Sequence, residues 1–171
     1  IRDKKLISII SAMLKAEIKG IGIPEKGVPQ GGILSPLLSN IVLNELDWWI
    51  ASQWEEMPPK HNRPFIRKDN GKMDKGPIFS AYRERSNLKE CHLVRYADDF
   101  KIFCRKRSDA NKIFEATKQW LSDRLHLEIS EEKSSITNLK RHYSEFLGFQ
   151  LRLHKKGKTK SGKPKYTVKS H

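Results

Sequence analysis

Cysteine is scarce in this 171-residue chain. The two present, Cys91 and Cys104, form no CxxC pair, which suits a reducing cytosol and argues against a zinc knuckle. Long apolar runs are missing as well. None approaches the roughly 20 residues needed to cross a bilayer, and no signal peptide is visible, so no membrane partner is expected. No internal repeat is present, and the histidines are scattered. Acidic residues are wholly absent from Phe146 to His171. Position 1 is Ile rather than Met, which reads as a piece of a longer protein.

What the chain has in excess is positive charge. Lys and Arg number 34 against 20 Asp and Glu, a net charge of +14. That balance favours a polyanionic partner, nucleic acid first. A ribosome-like structural protein or a membrane-surface protein would also be basic, so charge alone does not select an activity. Hydrophobic residues make up 37%, low for a self-contained globule yet above the level of a disordered chain. The length suffices for one domain with a real core.

Three stretches carry a helical apolar spacing. Asp3 can cap a first helix whose face is Leu6, Ile9, Ile10 and Met13, ending at Gly20 and Gly22. This face reads as a core face. Ser35 and Pro36 open a second helix, with Leu34, Leu37, Leu38, Ile41, Leu46, Trp49 and Ile50 as its stripe, running to about Trp54. Ser108 caps a third, with Ile113, Phe114, Thr117, Trp120 and Leu121 inward, ending near Leu125. Beyond the second helix, residues 57–80 are rich in Pro, Gly and Lys/Arg and read as a basic loop insertion.

The centre of the chain is Tyr96-Ala97-Asp98-Asp99. Leu93-Val94-Arg95 before it and Phe100 to Cys104 after it are strand-like, so the pattern predicts a hairpin with both carboxylates at its tip. Adjacent like charges need solvent or a cation between them, and an oxygen-only pair suits Mg²⁺ better than zinc. Turn chemistry by itself explains an Asp-Asp pair equally well. Gly31-Gly32, with Gln30 beside it, is either an ordinary turn or a place where a base or backbone approaches closely. Leu127-Glu128-Ile129 reads as a strand, followed by a polar turn where Lys133 is either solvated or turned toward the carboxylates. The pattern of Phe146-Leu147-Gly148-Phe149 favours a core brace over a presented surface. The tail from Arg152 to Lys169 holds eight Lys or Arg and reads as a free electrostatic arm or as a twisted hairpin around Gly162.

Taken together, these stretches resemble the reverse transcriptase domain of group II intron maturases. Gly27-Val28-Pro29-Gln30-Gly31-Gly32-Ile33-Leu34-Ser35-Pro36-Leu37-Leu38-Ser39-Asn40 is similar to that family's fourth block, Tyr96-Ala97-Asp98-Asp99 to its fifth, Leu127 to Lys133 to its sixth and Phe146-Leu147-Gly148-Phe149 to its seventh. The resemblance implies an α+β fold, a polymerase palm-type subdomain whose antiparallel sheet packs on helices, over residues 1–151. Residues 152–171 would be a basic hairpin or arm leading toward an absent thumb. It implies RNA-directed DNA polymerase activity by two Mg²⁺ ions, with Asp98 and Asp99 as catalytic metal ligands. Gln30, Gly31, Tyr96 and Ala97 would lie along template and nucleotide, Lys133 near the triphosphate, and Phe146, Leu147, Gly148 and Phe149 at the primer end.

The implied partners are intron RNA, an RNA template with a DNA primer, and a dNTP, in bacterial cytoplasm or an organelle. Splicing assistance and intron mobility come with the family, and the oligomeric state stays open, a homodimer included. The family's first metal-binding Asp belongs to a block before the fourth, and Asp3 does not replace it. The chain alone is therefore expected to be inactive. The alternative is a non-catalytic RNA-docking module.

Overall fold

The apolar spacing that begins at Leu6 does form a helix. The structure is a computed structural model that describes residues 2–17, 22–23, 34–58, 71, 74–159 and 162–170. Helix α1 spans Lys4–Leu14, and the Asp3 carboxylate caps it by accepting from the backbone N–H of Lys5 and Leu6 at 2.9 and 3.2 Å. It stops at Leu14, with Lys15 as its C-cap, short of the expected glycines, of which Gly20 lies outside the described residues. None of its residues is buried, and Leu6, Ile9 and Met13 are exposed. The expected core face is therefore not covered among the described residues. Periodicity says which face can be buried, not what covers it.

Helix α2 spans Ser35–Gln53. The Leu34 carbonyl accepts its first backbone bond, from Leu38 at 2.9 Å, so the cap falls on Leu34 and Ser35 is already helical. Pro36 occupies the first turn, where its missing N–H costs nothing. Leu37 and Ile41, expected in the stripe, are exposed, while Leu43, Leu46 and Ile50 are buried. The chain divides into two compact units, Ile1–Asn44 and Glu45–His171.

The second unit is built on aromatic packing. Trp54, just past α2, is fully buried, stacks on Phe79 at 5.4 Å and meets the edge of Tyr82 at 5.6 Å. The Tyr82 hydroxyl donates to the Met57 carbonyl at 2.7 Å, pinning the chain after α2. Phe79 and Tyr82 belong to helix α3, Gly76–Arg85. This helix corrects the loop expected over residues 57–80. Gly76 and Pro77 open a helix instead of breaking one, since proline in a first turn is pre-organised for it. Residues 59–70 and 72–73 of that stretch lie outside the described residues.

Strands β1, Cys91–Tyr96, and β2, Asp99–Cys104, pair antiparallel in the expected hairpin. Helix α4, Arg107–Leu125, comes next and buries Ile113, Thr117 and Leu121, while its Trp120 stacks on Trp49 at 5.1 Å. Ser108 is not its cap. The N-cap is Lys106, without a side-chain hydrogen bond, and Ser108 lies inside the first turn.

The strand expected at Leu127–Ile129 is absent. His126 takes a left-handed φ of 54°, and the Leu127 N–H turns back to the Leu121 carbonyl at 3.0 Å. The Leu127 N–H is thus spent on ending α4 and is lost to a ladder.

A second sheet holds β3, Ser144–Phe146, β4, Phe149–Lys158, and β5, Pro164–Ser170, in the order β3-β4-β5, all antiparallel. The basic tail is therefore a hairpin and not a free arm. A register shift between Lys155 and Gly157 bends it, and Gly162, at φ 77°, turns it. The architecture is α+β with antiparallel sheets and helices, as a palm-type fragment requires.

Candidate active site

Alternating aliphatic and aromatic residues make β1 and β2 good strands, and the register decides what sits at their end. Tyr96 pairs with Asp99, which leaves Ala97-Asp98 as a two-residue loop. Ala97 takes φ 54°, the left-handed conformation such a tight reversal needs. Asp98 thus stands in the loop and Asp99 on the first position of β2, both exposed. Among the described residues neither carboxylate has a side-chain hydrogen bond or ion pair. Tyr96 is 66% exposed beside them.

Arg95 holds this loop. Its guanidinium donates to both carboxylate oxygens of Asp47 on α2, at 2.8 and 2.6 Å, and to the Ala97 carbonyl at 2.7 Å. The hydrogen bond to Asp47 raises the Arg95 pKa further above its ordinary value, against the opposing effect of burial. One planar fork therefore ties helix, strand and loop. Neither Asp47 nor Arg95 stands out in the sequence, because their contact joins positions far apart in the chain.

The Phe146–Phe149 stretch is also a hairpin tip. Phe146 pairs with Phe149 across Leu147-Gly148, and both loop residues have positive φ, 53° and 79°. Gly148 takes that conformation at no steric cost, whereas Leu147 is strained in it. Leu147 and Phe149 are 46% and 57% exposed, so this tip is a presented surface and the expected core brace is corrected. Two large apolar residues at a reversal have no partner on the solvent side of their own hairpin.

Lys101 joins the two hairpins. It lies two residues after Asp99, on the same side of β2. Its ammonium donates to Ser144 Oγ at 2.8 Å and stands 5.7 Å from the centre of the Phe146 ring. Lys133 sits in an exposed turn at residues 131–133. Gln30 and Gly31 lie outside the described residues.

At the other end of the hairpin, Cys91 and Cys104 are paired cross-strand and both are free. Burial pushes their thiols up to about 12 and about 11. Thiols held protonated in this way are weak nucleophiles near neutral pH. Two exposed, unpaired carboxylates fit a hard divalent cation such as Mg²⁺ by donor type. They do not complete a site, since among the described residues no cluster of three His, Cys, Asp or Glu could hold a metal. No helix of the described residues is long and apolar enough to cross a membrane.

Comparison with known proteins gives this geometry a family. The profile for reverse transcriptase (RNA-dependent DNA polymerase) matches residues 3–151. The group II intron-encoded protein LtrA of Lactococcus lactis subsp. cremoris is 32% identical over 197 aligned residues, covering 96% of this chain and 33% of its own length. The putative COX1/OXI3 intron 1 protein of Saccharomyces cerevisiae is 30% identical, covering 88% of this chain and 21% of its own length. Protein YkfC of Escherichia coli is also 30% identical, with 88% and 40% covered. The chain thus spans well under half the length of these relatives. With a palm-type α+β fold, a carboxylate pair on a hairpin tip and a family profile matching most of its length, the chain belongs to the reverse transcriptase (RNA-dependent DNA polymerase) family.

Proposed function

We propose that this chain is the palm-containing core of a group II intron maturase that copies RNA into DNA by nucleotidyl transfer. The observation that carries the reading is the Asp98–Asp99 pair, exposed and unpaired on a two-residue hairpin loop in a chain of this family. The names of two relatives, both intron-encoded proteins, favour the intron type and with it assistance to splicing and mobility. The substrates are an RNA template, a DNA primer and a dNTP.

The residues divide the work. Asp98 and Asp99 hold the cations on one side. Mg²⁺ bound there would supply Lewis acidity toward the primer 3′-hydroxyl and the leaving phosphate oxygens. Arg95 keeps the loop in one conformation, so the carboxylates do not have to be ordered when substrate binds. Tyr96 and Ala97 flank the nucleotide, with Gln30 and Gly31 along the template and Lys133 on the triphosphate side. Phe146 to Phe149 support the primer end, and Lys101 holds that tip to the carboxylate hairpin. Residues 1–151 form the palm portion, and the basic hairpin of 152–171 contacts RNA phosphates.

Among the described residues no third His, Cys, Asp or Glu joins Asp98 and Asp99 in a cluster that could hold a metal. That observation favours a second reading, an RNA-docking module without chemistry. Primer extension on an RNA template with Mg²⁺, using the full-length protein, separates the two. Template-dependent extension that Asp98→Ala removes supports the polymerase. RNA binding with no extension by the full-length protein leaves the docking module.

A further inference from the structure

A cavity of about 420 Å³ opens beside the start of α4, lined by Arg107 from the helix and by Thr137, Asn138, Arg141, His142 and Tyr143 from the segment before β3. No acidic side chain lines it. Asn138 shapes the segment. Its carbonyl accepts from the N–H of Arg141 and His142, both at 2.9 Å, and its side chain accepts from the Lys140 N–H at 3.0 Å. That turn places Arg141 and His142 on the lining that Arg107 shares. Arg152 stacks over the Tyr143 ring at 5.0 Å on the rim.

Arg107 and Arg141 put uncompensated charge on this lining, as Arg2, Arg85 and Arg152 do elsewhere among the described residues. Arg83, Arg95, Arg105 and Arg124 each meet a carboxylate. Arg107 and Arg141 meet none among the described residues, and both are exposed. Two unneutralised arginines, a histidine and an asparagine on one lining offer the donor types that bind a phosphate.

The position selects which phosphate. Asp99 begins β2 and Cys104 ends it, about 17 Å away at roughly 3.4 Å per residue. Arg107 lies three residues further on. A triphosphate held at the carboxylate tip does not reach that far. Phosphates of one duplex strand recur about every 3.4 Å of axis, so the span corresponds to on the order of five base pairs. We infer that Arg107, Arg141 and His142 hold a backbone phosphate of the template–primer duplex, on the order of five base pairs from the Asp98–Asp99 tip. This rests on the polymerase reading above.

The test uses the 171-residue chain, a short RNA–DNA hybrid and a salt series. Arg107→Ala/Arg141→Ala is expected to bind about tenfold more weakly near 0.1 M salt, with the slope of log affinity against log salt reduced by about 1. Lys4→Ala/Lys5→Ala removes the same charge and should leave that slope intact. A thermal melt matching wild type shows that the arginine variant is folded. Three results overturn the inference: wild-type affinity and slope in the arginine variant, an equal loss in the lysine control, or a dNTP that displaces hybrid from wild type through these arginines. A wild-type chain that ignores the hybrid even at low salt overturns the polymerase reading itself, and the inference with it.

Discussion

Arg95 meets both carboxylate oxygens of Asp47, at 2.8 and 2.6 Å, across a gap of nearly fifty residues in sequence. The Arg95 side chain is only 11% exposed, so the pair is shielded from screening more than a surface pair would be. The same guanidinium reaches the Ala97 carbonyl, one residue before Asp98. The stability of α2 against the hairpin and the shape of the candidate metal loop therefore depend on one side chain.

Replacing Arg95 by Ala should lower stability by about 2 kcal/mol, the range for charge-assisted hydrogen bonds. Urea unfolding of the chain measures it. In the full-length protein Arg95→Lys should lose extension rate more than RNA affinity, because a lysine keeps the charge and not the fork. A double-mutant cycle with Asp47→Ala that shows no coupling would remove Arg95 from this role.

Asp98→Asn should leave stability unchanged or raise it by roughly 0–1 kcal/mol, since two adjacent carboxylates repel and solvent screens them. The comparison belongs in metal-free buffer. A clear drop in melting temperature would mean that Asp98 anchors the loop.

Activity divides differently. The 171-residue chain should not extend a primer, because Mg²⁺ keeps its waters at a one-sided pair of ligands. In the full-length protein Asp98→Ala or Asp99→Ala should abolish extension while RNA affinity changes less than about twofold, because Lys and Arg contacts to phosphate dominate binding. Full extension by the Asp98→Ala protein would end the metal-ligand assignment.

Acid should act through Glu90. The Arg83 guanidinium donates to it from Nε at 2.8 Å and through a second nitrogen. That bond holds the Glu90 carboxyl below its usual range, against burial, with Arg105 and His92 adding to it. A depressed folded-state pKa contributes stability above the unfolded value, about 4.3, which is lost as pH falls through the folded value. Glu90→Gln should therefore cost about 1–2 kcal/mol at pH 7 and progressively less below pH 4. Denaturation midpoints at pH 7 and pH 3 give the difference, and parallel curves for the two proteins would count against the pair.

Leu147 carries strain at φ 53°. Leu147→Asn, a residue that tolerates this conformation, should stabilise by roughly 0.5–1 kcal/mol and slow extension by the full-length protein. Stabilisation with unchanged extension would make the leucine incidental to primer support.

Local signals made several elements legible. Asp3 capping α1, the proline in the first turn of α2, the apolar face of α4 and the Asp-Asp hairpin all depend on residues within a few positions of one another. The same local signals misled where a residue had two uses. Pro77 reads as a breaker or as a first-turn residue, and Leu127 reads as strand until its N–H is spent on ending α4.

Chain chemistry alone determined the hairpin and its two carboxylates, because a two-residue reversal between strands is decided by neighbours in sequence. Family membership was readable from blocks in order along the chain. Tertiary structure alone decided what holds that hairpin. Asp47 meeting Arg95, Lys101 reaching Ser144, and Arg107 sharing a cavity lining with Arg141 each join segments that no spacing rule connects. It also decided that the Phe146–Phe149 tip faces solvent, since exposure depends on what packs against a residue and not on how apolar it is.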